Sequence, residues 1–141
     1  LPVFLCNKQG TQVAVAHAGW RSLCFGVLEE TLKHFDSSDE ILIWLGPAIG
    51  PAAFEVGGEV RAEFIAQQAE AEAAFIVKDN GKWLGNLYLL AKQRLAAQGV
   101  TEIYGGDFCT YQNEADFFSY RRSGKTGRMA SVIWFTETAS K

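Results

Sequence analysis

Short apolar runs alternate along this chain with stretches whose apolar residues recur every three or four positions. That alternation restricts the fold more than any other feature. Residues 3–6 (VFLC) and 12–17 (QVAVAH) read as two strands joined by the turn-forming NKQG, residues 7–10. Between residues 20 and 35, Trp20, Leu23, Cys24, Val27, Leu28 and Leu32 recur at helical spacing, with Glu29, Glu30 and Lys33 on the polar side. The cluster DSSD (36–39) ends that helix, and ILIWLG (41–46) follows as a short buried strand.

The second half continues in the same way. Residues 47–58 hold all but one of the chain's prolines and read as a long loop without regular structure. Residues 59–72 predict a helix, 73–78 a strand closed by the Asp79-Asn80-Gly81 turn, and Leu84, Leu87, Tyr88, Ala91 and Leu95 another helical stripe, with Gly99 as its C-terminal cap. Residues 102–106 predict a short strand, 107–111 a loop, and 129–135 (MASVIWF) a last apolar strand. The tail, 136–141, is expected to fray. The expected architecture is one α/β (α+β) domain with a mixed sheet covered by helices.

Composition narrows the function classes. The 141 residues carry a formal net charge of −3 and no basic stripe, which argues against a nucleic-acid partner because phosphate neutralisation supplies most of that affinity. No apolar run approaches the roughly 18 residues needed to span a bilayer, so no membrane partner is expected. The three cysteines are far apart and odd in number, as expected of reduced thiols in a cytoplasmic protein. The single methionine is Met129, and the chain opens directly on the strand-like LPVFLC. The expectation is therefore that this is the C-terminal portion of a longer domain.

Several stretches invite a chemical reading. RSGKTGR (122–128) suggests a phosphate loop, but that loop needs a glycine where Ser119 stands and a helix after Lys125-Thr126. A polar loop is the better reading. EVGGEV (55–60) lacks the spacing of a dinucleotide fingerprint. His34 falls near a helix end, where an imidazole interacts favourably with the helix C-terminus. His17 closes a buried strand just before a glycine and a helix start, the place where α/β folds present functional side chains, although a core histidine would read the same. Cys109 reads as a small buried hydrophobe. In FFSYRR (117–122) two adjacent arginines beside aromatic rings form either an anion clamp or surface ion pairs.

AVAHAGWRS, WLGPAIGPAAFEVGGEV, GGDFCTY and FFSYRRSGKTGRMASVIW, in this order, closely resemble the YfiH-like family. That family has been labelled multicopper polyphenol oxidoreductase or laccase-domain protein and is now regarded as purine nucleoside phosphorylases. The resemblance runs from Leu1 to about Phe135, with one mild departure at Ser22, where the family usually has glycine.

The resemblance implies a YfiH-like fold with a metal, usually assigned as zinc, held by two histidines and a cysteine. His17 matches one of those histidines. The other two ligands belong to segments preceding Leu1, so the metal site is expected to be incomplete in this chain, and the chain alone inactive. For the full-length protein the resemblance implies phosphorolysis of adenosine, inosine and guanosine, with purine nucleoside and phosphate as partners. It also implies adenosine deamination and methylthioadenosine cleavage. Arg21 is then the candidate to hold an anionic substrate near the metal, Arg121 and Arg122 the phosphate candidates, and Phe118 or Tyr120 the purine-stacking ring. Two other readings compete: copper in place of zinc with phenol oxidation, which the count of two histidines argues against, and a shortened, non-catalytic interaction module with an exposed sheet edge.

Overall fold

A computed structural model describes residues 1–136. β1 (Pro2–Asn7) pairs antiparallel with β2 (Val13–His17) and with β3 (Ile41–Leu45), and β3 pairs parallel with β7 (Glu102–Gly105). The sheet is therefore mixed, in the order β2-β1-β3-β7. Because β2 and β3 both run against β1, the strands β2, β3 and β7 all end at the same edge.

Strand alternation divides the sheet into two faces. Val3, Leu5, Ala16, Ile43 and Leu45 are buried, and they join one core with Leu23, Leu28, Leu90, Ala91 and Leu95 from the helices. The opposite face carries a cross-strand row, Val15–Phe4–Trp44–Tyr104, in direct register. Phe4 and Trp44 stack there at 5.3 Å, while Val15, Trp44 and Tyr104 remain exposed. Among the described residues the helices cover one face only.

The β1–β2 turn forms where expected, organised by buried Asn7. Its side chain accepts from the backbone N–H groups of Thr11 (2.9 Å) and Gln12 (3.0 Å) and donates to Thr11 and Asp39. The single helix expected over 20–35 is instead two: α1 (Trp20–Cys24) and α2 (Val27–Leu32). Gly26 lies between them at φ +95°, a left-handed conformation that glycine adopts freely and that no α-helix can continue through. The stripe of apolar residues survives the break because α2 is re-aimed onto the same core.

Two further differences concern short strands. The loop expected over 47–58 contains the two-residue β4 (Glu55–Val56), and Leu84, read as helical, lies in β6 (Trp83–Gly85). With β5 (Phe75–Val77) they make a second small sheet, β4-β6-β5, whose hairpin turns at Gly81. The helix expected over 59–72 is α3 (Gly58–Gln67), which ends because Gln68 is extended. A 3-10 segment, Ala69–Ala74, then buries Ala71 and Ala74. α4 (Leu87–Ala97) starts at Asn86, whose side chain caps it by accepting from the Leu89 N–H at 3.0 Å.

The strand expected over 129–135 does not form. A strand needs a neighbour to take its N–H and C=O groups, and among the described residues this segment pairs with none. Met129, Val132, Trp134 and Phe135 are exposed. α5 (Tyr120–Ser123) precedes Lys125-Thr126 rather than following it, so no phosphate loop forms. Of the tail expected to fray, residues 137–141 lie outside the described residues.

Candidate functional site

A cleft of about 300 Å³ opens where β2, β3 and β7 end. This is the edge at which α/β sheets bind ligands, because the loops leaving the strands diverge there. His17 closes β2 opposite Pro2 in β1, and Pro47, Ala48 and Ile49 follow β3. Thr110 comes from the loop after β7, while Phe118, Ser119, Tyr120 and Arg121 come from the start of α5. Met129 and Ser131 complete the wall. Residues from six separate stretches of sequence thus meet in one place.

The floor of the cleft is built by backbone. The loops after β3 and β7 run side by side: Ala48 and Cys109 form a parallel bridge, and the Thr110 N–H donates to the Ala48 carbonyl at 3.0 Å. The Gly50 N–H donates to Cys109 Sγ at 3.2 Å. Gly105 and Gly106 both have positive φ where β7 ends, and a Cβ on Gly105 would stand 2.4 Å from the Leu45 carbonyl oxygen. Only glycine permits that approach.

Tyr88 ties these loops to α4. Its buried hydroxyl accepts from the Ala48 N–H at 2.8 Å and donates to the Phe108 carbonyl at 2.8 Å. Burial pushes the Tyr88 phenol above its ordinary value, so it stays a neutral donor. In the sequence Tyr88 stood out only as a member of a helical stripe. The available signal was that a tyrosine on a buried helix face must find a partner for its hydroxyl.

The six residues singled out from the sequence separate into two groups. His17, Phe118, Tyr120 and Arg121 line one cleft. Phe118 and Tyr120 are 53% and 69% exposed, and Gly127 packs so closely on the Phe118 ring that a Cβ there would stand 2.8 Å from it. Arg121 donates to the Glu55 carbonyl at 2.8 Å and lies 5.4 Å from the centroid of the Phe54 ring, which fixes its guanidinium in the wall.

Arg21 and Arg122 are not brought into this cleft. Arg21 lies over its neighbour Trp20, 4.5 Å from the ring centroid, on the outer side of α1. Arg122 turns inward. Its Nη1 donates to the carbonyls of Thr110 (2.7 Å) and Tyr111 (3.0 Å), and its Nη2 to that of Phe117 (2.7 Å). A guanidinium committed to three carbonyls holds the loop before α5 in place and has little left for an anion. His34 lies just beyond the C-terminus of α2, exposed, with its carbonyl accepting from Gln12.

Among the described residues no three His, Cys, Asp or Glu side chains gather to hold a metal ion. His17 has no other such side chain among the residues lining its cleft. Among the described residues, those around His17 therefore do not by themselves fit a zinc or copper site. The three cysteines are free thiols, and no helix among the described residues is long and apolar enough to cross a membrane.

The fold is mixed α/β, and the cleft at the ends of β2, β3 and β7, walled by two aromatic rings, an imidazole and a guanidinium, is its candidate ligand site. Comparison with known proteins places it more closely. The chain belongs to the family described as multi-copper polyphenol oxidoreductase laccase, which it matches over residues 1–136. It is 62% identical over 135 residues to the Escherichia coli protein named purine nucleoside phosphorylase YfiH, covering 95% of this chain and 55% of that one. It is 54% identical over 139 residues to the Pseudomonas aeruginosa purine nucleoside phosphorylase PA4543, covering 97% and 57%. Among solved structures, Neisseria meningitidis protein NMB0706 superposes with a TM-score of 0.83 at 44% identity, covering 87% of this chain and 51% of that one. The YfiH-like resemblance and the mixed α/β fold are thus confirmed. The chain spans about half the length of the curated relatives it matches.

Proposed function

We propose that the protein splits purine nucleosides by phosphorolysis and that the His17 cleft is where it does so. The observation that carries this reading is the meeting of Phe118, Tyr120 and Arg121 with His17 in a single cleft. An aromatic wall suits a flat purine, and a fixed guanidinium suits a phosphate, whose oxygens it can meet with paired N–H donors. The names of the Escherichia coli and Pseudomonas aeruginosa relatives support the same reading.

In the reaction a phosphate oxygen attacks C1′ of the sugar, and the bond from C1′ to the purine nitrogen breaks. The electron pair leaves with the base, which takes up a proton, and the sugar departs as ribose 1-phosphate. Arg121 is the residue assigned to hold the phosphate, and Phe118 and Tyr120 are assigned to stack on the base. The substrates assigned are adenosine, inosine and guanosine. Methylthioadenosine cleavage and adenosine deamination are assigned to the same cleft. Arg122 has a structural role in this account, and Arg21 has none in the cleft.

The metal forms a separate part of the proposal. His17 is assigned as one ligand of a zinc ion, with the others supplied from outside this sequence, and a zinc ion held there would supply an activated water for deamination. No step of phosphorolysis is derived through it. The deciding experiment incubates full-length protein with inosine, with and without phosphate, and follows hypoxanthine and ribose 1-phosphate. Release that depends on phosphate and yields the sugar phosphate is expected. Equal base release with and without phosphate would overturn the reading.

A further inference from the structure

A second cleft, of about 350 Å³, shares a wall with the first. It is lined by Ala53, Glu55, Lys78, Tyr111, Gln112 and Arg121, among others, and Arg121 is the one residue that lines both. The second cleft lies against the small sheet: Glu55 belongs to β4, and Lys78 follows β5.

Its charge is unbalanced towards cations. Glu55 is the single carboxylate among its lining residues, against Lys78 and Arg121. Both carboxylate oxygens of Glu55 are already engaged, one by Lys78 and the other by Lys82 at 3.2 Å. One negative charge is thus shared by two lysines, and Arg121 adds a positive charge that no carboxylate in the lining meets. The Arg121 guanidinium uses only Nη1, on the Glu55 carbonyl, and its Nη2 and Nε have no protein partner among the described residues. The Tyr111 hydroxyl and the Gln112 side-chain amide likewise donate to no protein group among them. Donors of several kinds, with a net positive charge and their one acidic neighbour neutralised, are what a tetrahedral oxyanion needs.

We propose that this second cleft is a phosphoryl-binding subsite that delivers its ligand to the nucleoside cleft across Arg121. The inference rests on the phosphorolysis reading for its place in the reaction, but not for the binding itself. The ligand is the phosphoryl group, whether it arrives as inorganic phosphate or leaves as the sugar phosphate. Lys78 meets one side of it and Arg121 the other. The purine stays against Phe118 and Tyr120, on the far side of the shared wall.

The test uses full-length protein as wild type, Lys78→Gln and Lys78→Arg. In both variants Lys82 keeps Glu55 paired, so the hairpin retains an ion pair. Inorganic phosphate and ribose 1-phosphate are titrated separately by calorimetry, and KM is measured for phosphate and for inosine. Loss of one charge-assisted contact is expected to weaken phosphate binding in Lys78→Gln by about tenfold and to raise the phosphate KM by a similar factor. The inosine KM is expected to change by less than about twofold, and Lys78→Arg to restore phosphate binding. Sensitivity of both titrations to Lys78 marks a subsite shared by substrate and product; sensitivity with one compound alone identifies the form that occupies it. Phosphate and ribose 1-phosphate affinities that ignore Lys78, or no binding of either by wild type, overturn the subsite. If wild type fails to split inosine, the phosphorolysis reading falls, and the titrations still decide whether the cleft binds phosphoryl groups.

Discussion

The hydroxyl of Tyr88 lies 2.8 Å from the backbone nitrogen of Ala48, and through it α4 holds the loop that floors the His17 cleft. The same hydroxyl reaches the Phe108 carbonyl, so one phenol aligns the loops leaving β3 and β7. Tyr88→Phe keeps the ring and leaves the buried Ala48 N–H and the Phe108 carbonyl without this partner. A stability loss of about 1–3 kcal/mol is expected in urea unfolding of the full-length protein. Activity is expected to fall through kcat more than through the nucleoside KM, because Phe118 and Tyr120 are not held by this hydroxyl. An unchanged unfolding midpoint would remove Tyr88 from this role.

The neighbouring arginines 121 and 122 make opposite predictions. Arg122→Ala strands three carbonyls and is expected to cost about 3 kcal/mol in unfolding free energy, with little relief from Arg122→Lys, since one ammonium cannot span three acceptors. Arg121→Ala is expected to cost less than about 1 kcal/mol, because its side chain is exposed and makes one such bond. Its effect belongs on the phosphate KM. Equal stability losses for the two variants would contradict their placement.

Glu55 carries a pH signature. Hydrogen bonds from Lys78 and Lys82 hold its carboxyl down to about 2, from an ordinary value of 4.5. A carboxyl lowered on folding contributes stability that is fully present above the unfolded value and fades as pH falls through the folded one. The contribution of this pair is therefore lost between about pH 4.5 and pH 2, on the acid limb. Glu55→Gln is expected to flatten that part of a stability–pH curve and to leave the curve above pH 5 with an unchanged shape. A curve as steep as wild type below pH 4.5 would show that the pairs do not persist in solution.

His17 predicts a metal count. Full-length protein prepared without added metal is expected to carry zinc by elemental analysis, and His17→Ala to lose it while keeping its far-ultraviolet circular dichroism, because the His17 side chain is exposed and packs in no core. Zinc retained by His17→Ala would end the assignment.

Much of the fold was legible because its signals are local. The apolar runs of β1 and β2, the NKQG turn and the stripe in α4 each depend on residues within a few positions of one another. β4 and β6 were not legible, since strands of two and three residues have no period and exist only by pairing with each other and with β5. The break at Gly26 was hidden for a different reason: α1 and α2 pack on the same core, so the apolar spacing runs through the break undisturbed. The run MASVIWF was read as a strand from composition, yet strand formation depends on a partner that composition does not reveal.

His17, Phe118, Tyr120 and Arg121 were identifiable one by one, by residue type, by position beside a strand end, and by resemblance. Their assembly into one cleft was not, because residues 17 and 118–121 are joined only by the parallel run of β2, β3 and β7 to a common edge. Arg121 and Arg122 show the division most clearly. As sequence they are the same residue twice, with the same charge and the same donors. Consecutive positions on α5 diverge by about 100°, and the packing of α5 decides which arginine meets the cleft and which the cage of carbonyls.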